Sequence, residues 1–272
     1  MSATVAEVNA VIERLWPLTG AEDWDAPGFL VGTPDATVDT IHLAVDAVAE
    51  SIDEAIELRA DLLLVHHPLL LRGVTTVAED RYKGAMVAKL IRADCALVAA
   101  HTNADVVETG TSGVFASLLG LVEVEPIAPS ADPARGIGRI GSLPEQTTLG
   151  HLARRLGELL PATASGIRVA GDYNQPVQRV ALCGGAGDSL LSSPVVLGAD
   201  VYITSDLRHH PASESRANAA VSGGPALIDV SHWASEWLWL ETAAAELREA
   251  LPQVTITVSD LRTDPWDFTI VQ

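Results

Sequence analysis

The chain is poor in cysteine and lysine and has no long apolar run. Cys95 and Cys183 are its only cysteines, each inside or beside an apolar stretch. That excludes a disulfide framework and fits two buried, reduced thiols. Lysine occurs only at Lys83 and Lys89, and the formal net charge is −19 at pH 7. Phosphate backbones are held by basic surfaces, so nucleic acid is not an expected partner. No run reaches the roughly 18 apolar residues of a membrane span, and the amino end passes directly into a charged amphipathic stretch. A soluble, cytoplasmic protein with no membrane association is therefore expected. With 272 residues, 48% of them hydrophobic, there is material for one large domain or two ordinary ones.

What is present is organised around Asp61-Leu62-Leu63-Leu64-Val65-His66-His67-Pro68. Four branched apolar residues are too few for a helix and read as a buried strand of a parallel sheet, with the histidines at its carboxyl end. Open α/β sheets place their sites there. Strand side chains alternate, so His66 and His67 are expected to splay apart and to serve two neighbouring ions. A second apolar strand leads into His101-Thr102-Asn103-Ala104-Asp105. A third leads into His232-Trp233-Ala234-Ser235-Glu236. If a helix begins there, the i, i+4 spacing puts His232 and Glu236 on one face. Singly, a histidine at a strand end is more often structural. Four imidazoles and two carboxylates at predicted strand ends form a ligand set suited to zinc, iron, manganese or cobalt.

These clusters, with Trp24-Asp25-Ala26-Pro27-Gly28-Phe29-Leu30-Val31-Gly32, resemble in order the motifs of the NIF-three-like dinuclear metal-centre family, often labelled GTP cyclohydrolase I type 2. Ala26, Pro27 and Phe29 stand where the family pattern has Asn, Val and Leu. The segment Ser205-Asp206-Leu207-Arg208-His209 occupies a further motif, with Ser205 in place of its glycine. The resemblance implies two divalent metal ions per subunit. The family positions give His66, His67, Asp105, His232 and Glu236 as the ligands, and we assign His66, Asp105 and Glu236 to one ion and His67 and His232 to the other, with Glu236 or Asp105 bridging. His101 is a further ligand or a catalytic proton carrier. Also implied are a homohexamer and hydrolytic opening of a purine nucleotide such as GTP. Arg72, Asp206, Arg208 and His209 are the candidate substrate contacts, although 205–210 reads equally well as a polar surface loop. A metal-dependent phosphoesterase and a non-enzymatic metal-binding or assembly protein remain as alternatives.

The remaining chain reads as α/β throughout. Thr4 to Glu7 is a capping box that opens a helix ended by Pro17. Residues 24–32 read as a tightly packed loop. Thr40 to Val45 is a strand, with His42 a strand residue, and Asp46 is placed to cap the next helix. A helix over 80–92 and one over 111–119 follow. Pro126 to Pro133 breaks the periodicity and is taken as a domain junction. Two lobes with mainly parallel sheets are thus expected, 1–125 and 126–272, with the metal site at strand ends between them and the C-terminal segment packing back on the first. Gly184 to Gly187 reads as a tight turn in preference to a phosphate nest. One helix is expected from Trp233 to Ala250.

Overall fold

The computed structural model describes residues 2–271. They form two compact units, one running to Ala104 and including Leu240–Thr263, the other comprising Asp105–Trp239 and the residues from Asp264 on. No described helix is long and apolar enough to cross a membrane.

In the first unit, five strands lie in the order Thr255–Val258, Thr40–Ala44, Leu62–Val65, Ala96–Ala99, Gly28–Val31. The first four are parallel and the last is antiparallel. Leu62, Leu63, Leu64 and Val65 are all buried, which is why this strand is apolar without alternation. Leu63, Val65, Leu97 and Ala99 share one cluster with Ile52 and Ala55 of the helix Ala49–Glu57 and Met86 and Leu90 of the helix Tyr82–Arg92. The opening capping box is present: Glu7 N–H donates to Thr4 Oγ1 and Thr4 N–H to Glu7 Oε2. Asp46 does not cap the following helix. Val48 is the N-cap residue, and its N–H donates to Ser51 Oγ at 3.1 Å. Residues 28–31, read as loop, form the edge strand against Ala96–Ala99.

The second unit holds six strands in the order Val122–Pro129, Gly136–Thr148, Pro176–Ala186, Val201–Ser205, Ala226–Val230, Arg168–Ala170. The pairings of 176–186 with 201–205 and of 201–205 with 226–230 are parallel, and the other three are antiparallel. This sheet is mixed, unlike its largely parallel counterpart. The prolines at 126 and 129 sit within the outermost strand, where a missing N–H is tolerated. The glycine cluster also continues a strand, to Ala186. Gly184 N–H donates to Ser112 Oγ and Gly185 N–H to Ser235 Oγ, each at 3.0 Å, so two donors of a phosphate nest are already engaged.

The expected helix 233–250 is two helices, His232–Trp237 and Leu240–Ala250. Trp239 and Leu240 are both buried, and adjacent large side chains point about 100° apart on a straight helix. Breaking at 238–239 lets both find cover.

A residue-level repeat that the sequence does not advertise relates the two units. Asp61 Oδ2 accepts the N–H groups of Asp39 and Thr40, at 2.8 and 2.9 Å. Asp200 Oδ2 accepts those of Gln178 and Arg179, at 2.8 and 2.7 Å. Each aspartate also passes the chain register onward: Ala96 N–H donates to Asp61 O and Ala226 N–H to Asp200 O. Each clamp fixes the start of a central strand, and each unit then carries its histidines beyond such strands.

Candidate metal centre

Backbone hydrogen bonds place the His-His pair of the first unit. His66 N–H donates to Val45 O at 3.1 Å and His67 N–H to Val45 O at 2.9 Å. The strand ends at Val65, so the alternation expected to splay the two rings stops before them. Their centroids are 5.1 Å apart, and that of His101 lies 5.1 Å from His66 and 5.4 Å from His67. Donor atoms of His66, His67 and His101 all lie within 4.8 Å of one another, a group able to hold a metal ion.

Each ring is oriented through Nδ1. His66 Nδ1 lies 2.8 Å from Ala100 O, and because a carbonyl only accepts, that nitrogen carries the proton. His67 Nδ1 lies 2.7 Å from Asp46 Oδ1, and Asp46 Oδ2 accepts from Thr263 Oγ1 at 2.5 Å. His101 Nδ1 lies 2.8 Å from Asp25 Oδ1. A proton fixed on Nδ1 leaves the Nε2 lone pair as the coordinating electron pair, the usual tuning of a metal-binding histidine. Asp25 also accepts from Ala26 N–H, Thr102 N–H and Thr102 Oγ1. Burial pushes its pKa up, but the His101 and Thr102 hydrogen bonds, the His101 charge and the Ala26 N–H more than offset this and bring it to about 2.

In the second unit, Ser231 caps the helix carrying the remaining motif, accepting from Ala234 N–H at 3.2 Å and donating to Asp264 Oδ2 at 2.5 Å. His232 Nε2 lies 2.9 Å from Glu236 Oε1, so the i, i+4 pair is on one face as the spacing predicts. His232 Nδ1 lies 2.8 Å from Asp206 Oδ2. Burial opposes charge on His232, yet Glu236 and Asp206 outweigh it and raise the pKa well above the usual range. Asp206 reaches this position in a left-handed backbone conformation, φ +58°, uncommon for a residue with a Cβ. The next residue is anchored, Leu207 N–H donating to Asp229 Oδ1 at 3.0 Å.

Gly185, at φ +69°, passes so close that a Cβ there would lie 2.4 Å from Glu236 Oε1 and 3.2 Å from His232 Nε2. The glycine therefore leaves space at the donor edge of this pair. Asp105 is held by Thr111 Oγ1 at 2.5 Å. The turn after it is gripped by the buried guanidinium of Arg139, which donates to the carbonyls of Val107 at 2.6 Å, Gly136 at 2.5 Å and Gly138 at 2.8 Å. The Nδ1-oriented imidazoles of the first unit and the His232–Glu236 pair of the second are each donor types that suit a divalent transition metal.

Of the other sequence candidates, Arg72, Arg208 and His209 make contacts of their own. Arg72 sits in an exposed stretch and accepts from Lys83 Nζ through its carbonyl. Arg208 is exposed and paired with Asp188 at 2.7 Å. His209 stacks edge-on with His210, centroids 5.2 Å apart. Sequence reasoning assigned no site role to Asp25 or Asp46, and put Asp206 beside a substrate without seeing its bond to His232. Asp25 stood inside a motif already singled out, and its acidic side chain was the available signal.

A family model described as Duf34/NIF3 (NGG1p interacting factor 3) matches residues 3–265. A Streptomyces coelicolor protein named GTP cyclohydrolase 1 type 2 homolog is 48% identical over 269 residues, covering 96% of this chain and 93% of its own. A Clostridium perfringens protein of the same name is 31% identical, covering 96% and 98%. Among solved structures, a hypothetical protein of Staphylococcus aureus superposes with a TM-score of 0.88 at 26% identity, covering 99% of this chain and 100% of that one. A Bacillus cereus protein related to NIF3 gives 0.90 at 24% identity over 98% and 99%, a likeness of fold.

Proposed function

The chain belongs to the Duf34/NIF3 family, and from that premise we propose that it is a metal-dependent hydrolase holding two divalent ions per subunit, zinc, iron, manganese or cobalt. One observation carries the reading. Four histidines of the motifs, His66, His67, His101 and His232, each have Nδ1 against a carbonyl or carboxylate oxygen at 2.7 to 2.8 Å. Structural histidines have no need of so uniform an arrangement, whereas metal ligands do.

His66, His67, Asp105, His232 and Glu236 are the proposed ligands, with Glu236 or Asp105 bridging. When bound, such ions supply Lewis acidity and lower the pKa of coordinated water towards neutrality. His101, oriented by Asp25, holds or passes a proton at Nε2. We assign Asp206 to orienting His232, and Arg72, Arg208 and His209 to contacts with an anionic substrate. The names of the relatives support a purine nucleotide as substrate, opened at its base as in a GTP cyclohydrolase. A cytoplasmic homohexamer is the proposed working form.

Elemental analysis of freshly purified full-length protein is expected to give two equivalents of transition metal, falling in His67→Ala. Incubation with GTP should release formate in a metal-dependent reaction that this variant abolishes. Phosphate release without formate would make the centre a phosphoesterase. Metal content near zero after reloading would sink the proposal.

A further inference from the structure

The helix His209–Ser222 is 14 residues long and buries none of them. Surface helices ordinarily lay an apolar stripe on the sheet beneath. Here the stripe His209, Ala212, Ser213 and Arg216, spaced i, i+3, i+4, i+7, borders an open cleft of about 420 Å³, with Ala212 packed against the apolar cluster of Leu207 and Leu227. Leu207, Val169, Ala170 and Leu227 line the cleft, together with Arg168 and Asp229. None of the five proposed ligands, nor His101, lines it, although His209, proposed above as a substrate contact, does; the inference rests on Arg216, Arg168 and the apolar lining and not on the metal site.

The charge at this cavity runs against the rest of the chain. Two guanidiniums face one carboxylate, leaving an excess positive charge in a protein of net charge −19. Asp229 is already committed, accepting from Leu207 N–H and from Arg168. Arg216 Nη1 donates to Pro225 O at 2.8 Å, which fixes the guanidinium while using one of its two terminal nitrogens. An arginine held this way retains the forked geometry that suits carboxylate, sulfonate or phosphate. The volume falls in the range of small-molecule sites, which combine apolar walls with a few placed polar groups.

We propose that this cavity binds a small amphipathic anion, its apolar body against Leu207, Val169 and Leu227 and its charged group taken by Arg216 and Arg168. The probe is anilinonaphthalene sulfonate, titrated by fluorescence into the full-length protein. Saturable binding at one site per chain is expected. Arg216→Gln should weaken it about tenfold or more, as expected for loss of a charge-assisted contact, and Ala212→Trp, which fills the cavity, should abolish it. Neutral N-phenylnaphthylamine should bind at least tenfold more weakly than the sulfonate. Unchanged affinity in Arg216→Gln, with circular dichroism showing an intact fold, would overturn the proposal. So would equal binding of the neutral probe, or non-saturable binding surviving in Ala212→Trp. Metal content should match wild type in both variants, separating this test from that of the metal centre.

Discussion

Replacing Asp25 by asparagine tests whether the carboxylates behind the histidines are structural elements in their own right. The Asp25 side chain is fully buried and accepts four hydrogen bonds, two at each oxygen: His101 Nδ1 and Ala26 N–H at Oδ1, Thr102 N–H and Oγ1 at Oδ2. Its pKa falls from the ordinary 3.8 to about 2. At about 1.4 kcal/mol per pH unit, this corresponds to roughly 2 kcal/mol of folding stability at neutral pH. A depressed folded-state pKa contributes fully above the unfolded value and is lost as pH falls from 3.8 towards 2. Asn also turns an amide NH₂ against donors at one of the two positions, adding to the loss. Urea unfolding at pH 7, followed by circular dichroism, should therefore show Asp25→Asn destabilised by roughly 2 to 3 kcal/mol. The gap should hold to about pH 5 and narrow as pH drops towards 3. A gap under about 0.5 kcal/mol at pH 7, or one unchanged at pH 3, would refute the reasoning. Ion affinity should fall about 10- to 100-fold in the same variant, as when such a supporting partner is removed.

Gly185→Ala should displace Glu236 and lower both metal content and melting temperature, because its Cβ would sit 2.4 Å from Oε1 in a left-handed backbone; unchanged metal content would contradict this. Arg139→Met removes the donor to the carbonyls of Val107, Gly136 and Gly138 and should destabilise by about 3 kcal/mol or more in denaturant titration. Burial raises the Cys95 thiol to about 11 and Cys183 to about 12. At pH 8 roughly one part in a thousand or fewer is thiolate, so Ellman's reagent should label neither thiol in native protein and both in denaturant.

The parts of the fold written in the sequence are those set by near neighbours. Thr4 and Glu7 announce a helix start because both halves of the capping box lie within three residues. The run Leu62 to Val65 announces a strand covered on both faces because no polar residue interrupts it. His232 and Glu236 meet because helical spacing alone brings them together. The groups that orient the donors are set by the fold instead. Asp46 lies 21 residues from His67 and Asp25 lies 76 from His101, so neither pairing has a local signal. The break after Trp237 likewise depends on what covers Trp239 and Leu240, which periodicity does not encode. Pro126 reads as a junction in sequence because an edge position, where proline fits, is decided by the partner strand.

Because every motif imidazole is already steered by a neighbouring oxygen, its conformational entropy is surrendered during folding and not when a cation arrives. A socket prepared in this way differs from a zinc finger, whose chain collapses only around its ion. Chelators should strip this protein to a folded apo form that reloads without refolding.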